Sequence, residues 1–218
     1  MTKKISKKHF TADWTSDLAD INSNNWTKRI EIIRTRFESR YFTPIEQLIN
    51  STDKVVKYNC GFLIMSIDSL LIETLNQFYL GLYNSDEKYS NRNKDKTYFD
   101  KENKFAFRDF FKQSSFFPDF KADEKIIFTF YKEIRCGLLH QAESKTNSLI
   151  NIRESQMVTL VDKNNPEQGL IINRKLFHSA LVDEFNKYLK DLEDPTSKNI
   201  LGENLREKCN RKMQDLCK

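Results

Sequence analysis

The stretch from residue 51 to residue 83 constrains the fold of this chain most. It is the most apolar part of the sequence, and its apolar residues recur at the spacing of one helix face: Ile64, Ile67, Leu71, Leu75 and Phe78. Leu63 and Leu70 widen that face, so we expect this helix at the centre of a bundle. The residues Ser51-Thr52-Asp53 supply a helix start signal. Glycine and proline are scarce, at 5 and 4 residues, which favours long helices over a loop-rich β-sandwich.

The same periodicity predicts four further helices, at about 26–41, 105–111, 123–143 and 176–192. Thr43-Pro44 interrupts the first of them, and residues 45–49 can continue it. The helix at 123–143 opens at Asp123. Its inner face consists of Ile127, Phe130, Ile134 and Leu138. Residues 84–104 are strongly polar, with charges of both signs, and are interpreted as a long surface loop.

The periodicity changes in the segment before the last core helix. Residues 148–153 and 157–161 alternate as strands do, residues 162–169 form a turn region, and residues 170–172 are another short extended run. The pattern indicates a small β-hairpin or a three-stranded element. The predicted fold class is therefore mostly α, a helical bundle with a small β-hairpin insertion at about 148–172.

Polarity divides the chain into a flexible N-terminal segment over 1–25, a helical domain over 26–192 and a charged C-terminal tail over 193–218. The formal charge is 36 − 31 = +5, which permits an RNA partner without requiring one. Residues 1–8 contain four lysines and are interpreted as a frayed, solvated terminus rather than a binding arm.

Several classes of protein are disfavoured. No segment is apolar for eighteen residues, and no apolar region follows the basic N-terminus as it would in a signal peptide. The four cysteines form no Cys-x-x-Cys pair, so a reduced, cytoplasmic setting is the simplest, with Cys60 and Cys136 as small core residues. Zinc-ligand spacing, a phosphate-binding glycine loop and a Gly-x-Ser-x-Gly elbow do not occur, so no metal or cofactor is expected.

The segment from Arg135 to His140 carries the chemistry. It places an arginine and a histidine five positions apart, late in an apolar helix. This motif lies in the run IRCGLLHQAE and follows the helix DSLLIETLNQF at residues 68–78. Together they resemble the HEPN (higher eukaryotes and prokaryotes nucleotide-binding) superfamily, which is marked by an arginine, four to six residues and a histidine. The resemblance covers roughly residues 50–190 and is to the HEPN proteins of bacterial mobile elements and defence loci.

The resemblance implies a metal-independent endoribonuclease that works as a homodimer, with the two motifs facing each other. The RNA 2′-hydroxyl attacks the neighbouring phosphate. His140 would be the general base or acid, because a histidine can move a proton near neutral pH. Arg135 would clamp the phosphate and stabilise its charge. The expected setting is a toxin–antitoxin, anti-phage or stress response, with an antitoxin or another regulatory protein as a further partner.

Three residues are candidates for supporting this site. Asp68 falls within the apolar arc of the central helix, where an unpaired carboxylate costs several kcal/mol, so Arg135 or His140 is its expected partner. Glu73 lies on the opposite, polar stripe and ranks below Asp68. Cys136 occupies a position that is commonly polar in the family, which bears on activity rather than on the fold.

The spacing leaves alternatives open. Five residues turn a helix by about 500°, so Arg135 and His140 lie roughly 140° apart. They flank a stripe that contains Phe128, Cys136 and Leu139, which is either a dimer seam or a surface packed against the hairpin.

The alternative function is a non-catalytic HEPN-like module that dimerises and binds RNA or a partner protein. In that case Arg135 and His140 are a surface pair or partners of the helix dipole. His9 and His178 have no comparable neighbours in the sequence and are interpreted as structural or solvated.

Overall fold

The computed structural model describes residues 3–16, 20–23, 25–89, 103–145 and 147–218. The helices in these ranges are α1 (Thr11–Thr15), α2 (Thr27–Phe37), α3 (Thr43–Ile49), α4 (Lys54–Asn59), α5 (Gly61–Leu80), α6 (Asp86–Tyr89), α7 (Asn103–Gln113), α8 (Pro118–Ala122), α9 (Glu124–Thr129), α10 (Cys136–Gln141), α11 (Arg174–Asp191) and α12 (Leu205–Leu216). Two π-helical segments, Glu38–Phe42 and Phe130–Arg135, join α2 to α3 and α9 to α10. The strands are β1 (Leu149–Asn151), β2 (Val158–Leu160) and β3 (Leu170–Asn173). The fold is mostly α with a small sheet, as predicted, and no described helix is long and apolar enough to cross a bilayer.

Helix α5 lies at the centre of the bundle and packs against α7, α11 and α12. Most of its predicted inner face is fully buried: Ile64, Leu71, Leu75 and Phe78. Leu63 and Leu70 do not widen the buried face, because they are 51% and 50% exposed. Gly81 adopts a left-handed conformation (φ 66°) and ends the helix.

The predicted helix over 51–83 is two helices, α4 and α5, which meet at Cys60. Asp53 starts α4 as expected, since its carboxylate accepts hydrogen bonds from the amides of Val55 and Val56. At the break, the buried Arg174 guanidinium donates to the carbonyl of Lys57. Gly61 leaves room for it, since an added Cβ would lie 2.5 Å from Arg174 Nη1.

Pro44 does not break the first helical run. Helix α2, the first π segment and α3 follow one another without a gap from residue 27 to residue 49. The wider π turn lies directly before Pro44, where a regular α-helix would need the N–H that proline lacks. The predicted interruption is therefore a local change of helix type.

The helix predicted from Asp123 is confirmed as a continuous helical run over residues 124–141, called the motif helix here. It consists of α9, the second π segment and α10. The Asp123 carboxylate accepts from the Lys125 amide and caps its start. All four predicted inner-face residues are buried: Ile127, Phe130, Ile134 and Leu138. Phe130 stacks on Phe177 of α11, with ring centroids 5.1 Å apart.

The sheet is three-stranded in the order β1-β3-β2, which decides between the two predicted alternatives. Strands β2 and β3 pair antiparallel, as a hairpin does, with Val158 opposite Ile172. Strand β1 pairs with the other edge of β3 in parallel, with Leu149 opposite Ile171. Asn173 ends β3 and caps α11, since its side chain accepts from the amides of Lys175 and Leu176.

Both ends of the chain contribute to the core, so the boundaries expected at residues 26 and 192 are not edges of the domain. Ile5 and Trp14 are buried, and the Trp14 ring meets Trp26 edge-on at 6.5 Å. The supposed C-terminal tail contains α12, which packs on α5 through a buried stripe of Leu205, Cys209 and Met213. Residues 1, 2, 17–19 and 24 of the N-terminal segment lie outside the described residues.

Arg206 ties these two ends together. Its fully buried guanidinium donates to the carbonyl oxygens of Leu192 and Glu193 at 2.8 and 2.7 Å. It also donates to those of Ile21 and Ser23 at 2.8 and 2.6 Å. Neutral carbonyls thus hold this cation, which explains why a charged segment can enter the core.

The predicted surface loop at 84–104 is partly helical. Helix α6 lies within it, and α7 already begins at Asn103. Tyr89 of α6 is buried and accepts a hydrogen bond from Asn76 Nδ2 at 2.9 Å. Residues 90–102 lie outside the described residues.

If the C-terminal segment is part of the core, Leu205→Ala will lower the free energy of unfolding by about 2–5 kcal/mol, because it removes a fully packed side chain. Leu201→Ala is the matched control. Leu201 is 58% exposed, so its truncation will change stability by less than about 0.5 kcal/mol. Urea unfolding of both variants measures the difference. Equal midpoints would contradict the placement of α12 in the core.

Candidate functional site

Helix α5 and the motif helix together position the candidate residues. The inner face of the motif helix is buried, and both the π segment and α10 contact α5. Arg135 is the last residue of the π segment, and Glu73 lies on the part of α5 that faces it. A π turn shifts the register of the residues that follow it and is frequent at functional sites.

Arg135 forms an ion pair with Glu73. Its Nε and Nη2 donate to Glu73 Oε1 at 3.0 and 2.7 Å. The two side chains are 15% and 18% exposed, so the pair lies at the edge of the core. Burial by itself would lower the pKa of Arg135, but the Glu73 carboxylate, with smaller contributions from Tyr131 and Cys136, outweighs this effect and raises it. Arg135 is therefore a fixed, fully protonated cation.

Tyr131 and Cys136 complete the surroundings of this guanidinium. Arg135 Cζ lies 5.2 Å from the centroid of the Tyr131 ring, in a cation–π contact. Burial raises the pKa of Tyr131 to about 12, so the phenol stays protonated. Cys136 is half-buried rather than a core residue, and its Sγ lies 4.0 Å from Arg135 Nη1. The sequence did not single out Tyr131, although it stands one helical turn before Arg135.

His140 is separate from this group. Its side chain is exposed and makes no hydrogen bond or ion pair with any described residue. Helix α10 ends just after it, at Gln141, and the next residue, Ala142, has a φ of 54°. Thereafter the chain folds back over Gly137, where an added Cβ would lie 2.4 Å from the Glu143 carbonyl oxygen. Gly137 is thus the residue that permits this close approach.

Asp68 does not support the motif. It is fully buried, and its Oδ1 lies 2.8 Å from Nδ1 of His178 on α11, which is equally inaccessible. The requirement for a partner was correct, but Arg135 and His140 were the wrong candidates. His178 is therefore structural, since it pairs with a buried carboxylate. Glu73, which ranked below Asp68, is the carboxylate that contacts Arg135.

Burial differs along the stripe between Arg135 and His140. Phe128 packs edge-on against Phe105 of α7, with ring centroids 5.9 Å apart. Leu139 is 53% exposed. The part of the stripe nearest to His140 is therefore open to solvent.

Metal-ligand chemistry finds no support in this region. Within the described ranges, no three His, Cys, Asp or Glu side chains are grouped so that they could hold a metal ion. The groups gathered around Arg135 are a carboxylate, a phenol and a thiol that surround one cation. Arginine is a phosphate-binding side chain, so the arrangement is suited to an anionic ligand.

The buried pair makes a pH-dependent contribution to stability. Burial raises the pKa of Asp68 above its ordinary value of 3.8, although the hydrogen bond with His178 acts in the opposite direction. The folded state therefore binds the Asp68 proton more tightly than the unfolded state does. The stability that this proton contributes is lost as pH rises through the folded pKa of Asp68. Asp68→Asn will gain stability relative to the wild type over that window, by about 1.4 kcal/mol per unit of pKa shift.

Urea unfolding from about pH 3 to pH 7 measures this difference. Asp183→Asn, at an exposed position of the same helix as His178, is the control for the change of charge. Parallel pH profiles of wild type and Asp68→Asn would contradict the assignment.

Comparison with known proteins adds no relative to this chain. No family model matches the sequence, no curated protein matches it, and no solved structure matches the fold.

Proposed function

We propose that this chain is a metal-independent endoribonuclease of the HEPN type that acts as a homodimer in the cytoplasm. The observation that carries the proposal is the state of Arg135. Glu73 holds its Nε and Nη2, while Nη1 meets only Cys136 Sγ at 4.0 Å among the described residues. A guanidinium that a carboxylate fixes through two nitrogens, and whose third nitrogen has only a long thiol contact, is suited to bind a phosphate through that nitrogen.

The reaction needs a proton carrier and an anion clamp. His140 removes the proton from the RNA 2′-hydroxyl, and the 2′-oxygen attacks the adjacent phosphorus. The bond to the 5′-oxygen breaks, and this oxygen takes up a proton from solvent water, which leaves a 2′,3′-cyclic phosphate and a 5′-hydroxyl end. Arg135 Nη1 stabilises the charge on the phosphate during this step. The exposed position of His140 gives a large substrate access to the imidazole.

Homodimer formation has a candidate surface next to the motif. Leu70 lies one helical turn before Glu73, and Leu139 lies one turn after Arg135. Both leucines are about half exposed, at 50% and 53%, and Leu63 of α5 is exposed to a similar extent. Pairing of two copies through these leucines would bury them and bring two motifs together.

Two observations favour the alternative, a non-catalytic HEPN-like module that binds RNA or a partner protein. Glu73 neutralises Arg135, and His140 has no carboxylate or carbonyl to orient its ring within the described residues. A structural ion pair and a solvated histidine would look the same. In either case, a toxin–antitoxin, anti-phage or stress-response setting and a regulatory partner such as an antitoxin are part of the proposal.

Cleavage of synthetic and total RNA in EDTA tests the enzyme. We expect wild type to cut, His140→Ala to lose about 10²–10⁴-fold in rate, and Arg135→Ala to be similarly impaired. Gln141→Ala, an exposed neighbour on the same helix, is the matched control and will cut as wild type does. Mass analysis of the product ends will detect the cyclic phosphate.

Two results would sink the enzymatic proposal. No cleavage by folded wild type under any condition would favour the binding module. Equal cleavage by all variants would point to a contaminant or to another site. Circular dichroism melts separate loss of activity from loss of fold, which matters for Arg135→Ala because it leaves the half-buried Glu73 without its partner.

The dimer surface makes a separate prediction. Leu70→Lys and Leu139→Lys place charges on the proposed seam and will raise the dimer dissociation constant by ten-fold or more, equivalent to at least about 1.4 kcal/mol. Leu201→Lys alters an equally exposed leucine in the segment before α12 and will leave the assembly unchanged. Light scattering across a concentration series reads out both. A monomer in the wild type would exclude the seam.

A further inference from the structure

A second region of the molecule carries an unexplained concentration of positive charge. A cavity of about 630 Å³ lies between the N-terminal segment and the first helical run. Its walls come from residues 4–8 and 35–47 only: Lys4, Ser6, Lys7, Lys8, Thr35, Glu38, Ser39, Arg40, Thr43, Pro44 and Gln47. We call it the basic cavity. None of these residues belongs to the motif helix.

Four cations line the basic cavity, and only one carboxylate accompanies them. Lys4, Lys7, Lys8 and Arg40 make no ion pair with any described residue. The carboxylate, Glu38, lies 3.8 Å from Arg34, outside the cavity lining. The positive charge of the lining is thus uncompensated within the described protein, and it attracts anions.

Hydrogen bonds hold the N-terminal wall of the basic cavity in place. Arg36 Nη1 donates to the carbonyl of Ile5 at 2.8 Å, and Arg40 Nη2 donates to that of Lys4 at 3.1 Å. Ser6 is buried and lies 2.8 Å from His9 Nδ1 through its hydroxyl. The backbone that carries the terminal lysines, interpreted from sequence as a solvated end, is therefore held against the helix at residues 4 and 5.

The first π segment forms the opposite wall of the basic cavity and presents Ser39 and Arg40 to it. Just before this segment, burial lowers the pKa of Arg36, and the neighbouring positive charge of Arg40 lowers it further. Like charges are held close together here at a cost, and an anionic ligand would relieve it.

The chemistry of the lining indicates which anion fits. Its cations are accompanied by hydroxyl and amide side chains, and it contains no aromatic residue. Base recognition would require stacking platforms or groove contacts, whereas phosphate recognition needs lysine, arginine and hydroxyl groups. An acidic peptide would satisfy the charge, but Pro44 is the one apolar residue of the lining.

We propose that the basic cavity binds the phosphodiester backbone of RNA, without sequence preference, and so holds the substrate at a place apart from Arg135 and His140. This inference rests on the proposed RNA function. It predicts that binding and cleavage can be separated by mutation, since different residues carry them.

The test measures binding of a fluorescein-labelled, fully 2′-O-methylated RNA, which lacks the attacking hydroxyl and cannot be cleaved. Lys7→Gln/Lys8→Gln removes two exposed cations of the basic cavity. Lys125→Gln/Lys190→Gln removes the same charge from two exposed positions outside its lining, which make no ion pair with a described residue. Fluorescence anisotropy is recorded over a salt series, and cleavage of all-ribose RNA is recorded in parallel.

We expect the cavity variant to bind about 25-fold more weakly than wild type at 0.1 M salt, and its log–log salt slope to fall by about 1.4, or 0.7 for each lost contact. The control variant will match wild type in slope. His140→Ala will bind the modified RNA as wild type does.

Three results would overturn the inference, and one would separate it from the proposed enzyme. Equal affinity of the cavity and control variants overturns the inference, whatever the cleavage assay shows. Failure of wild type to bind the modified RNA overturns it as well, as does displacement of the RNA by poly-glutamate at equal charge concentration. Loss of binding in the cavity variant, with no cleavage even by wild type, supports the inference and refutes the enzyme.

Discussion

Burial of α5 is the constraint on which the rest of the structure depends. Helices α7, α11 and α12 surround it, so polar groups on several of its faces are cut off from water and need partners. Asp68 meets His178, Asn76 meets Tyr89, and the Tyr79 hydroxyl donates to Glu184 Oε1 at 2.6 Å. The contacts to His178 and Glu184 fix α11 against α5, and the contact to Tyr89 fixes α6. Glu73 lies at the edge of the core and is likewise paired, with Arg135.

Buried arginines perform a related task at the joints of the chain. Arg174 occupies the break between α4 and α5, and Arg206 joins both ends of the chain through backbone carbonyls. A guanidinium presents five donors in one plane, so one residue can satisfy several carbonyls that end a helix or turn. Arg135 differs from these two, because its partner is a carboxylate, and its Nη1 lies 4.0 Å from a thiol rather than against a backbone carbonyl.

The two π segments occur in the two helical runs that carry the proposed binding and cutting sites. One holds Arg40 against the basic cavity, and the other ends at Arg135. A π turn adds a residue to the helix and changes which side chains face the core. A π turn can therefore direct a cationic side chain towards a neighbouring element. The apolar periodicity of a regular α-helix would place that side chain on another face. Both segments are absent from the expectations based on sequence, since a pattern of 3.6 residues per turn does not reveal where a helix changes type.

The sequence by itself determined the helical class, the buried stripe of α5, the start of the motif helix at Asp123, and the need for a partner at Asp68. These follow from local periodicity and from the cost of an isolated buried charge. Only the tertiary structure decided that His178, 110 residues away, is that partner, and that Glu73 rather than Asp68 meets Arg135. The structure also places α12 in the core. The sequence did not reveal this, because the buried stripe of Leu205, Cys209 and Met213 is narrow and lies among charged residues. Long-range partners depend on how helices pack, and periodicity within one helix carries no information about which helix lies opposite.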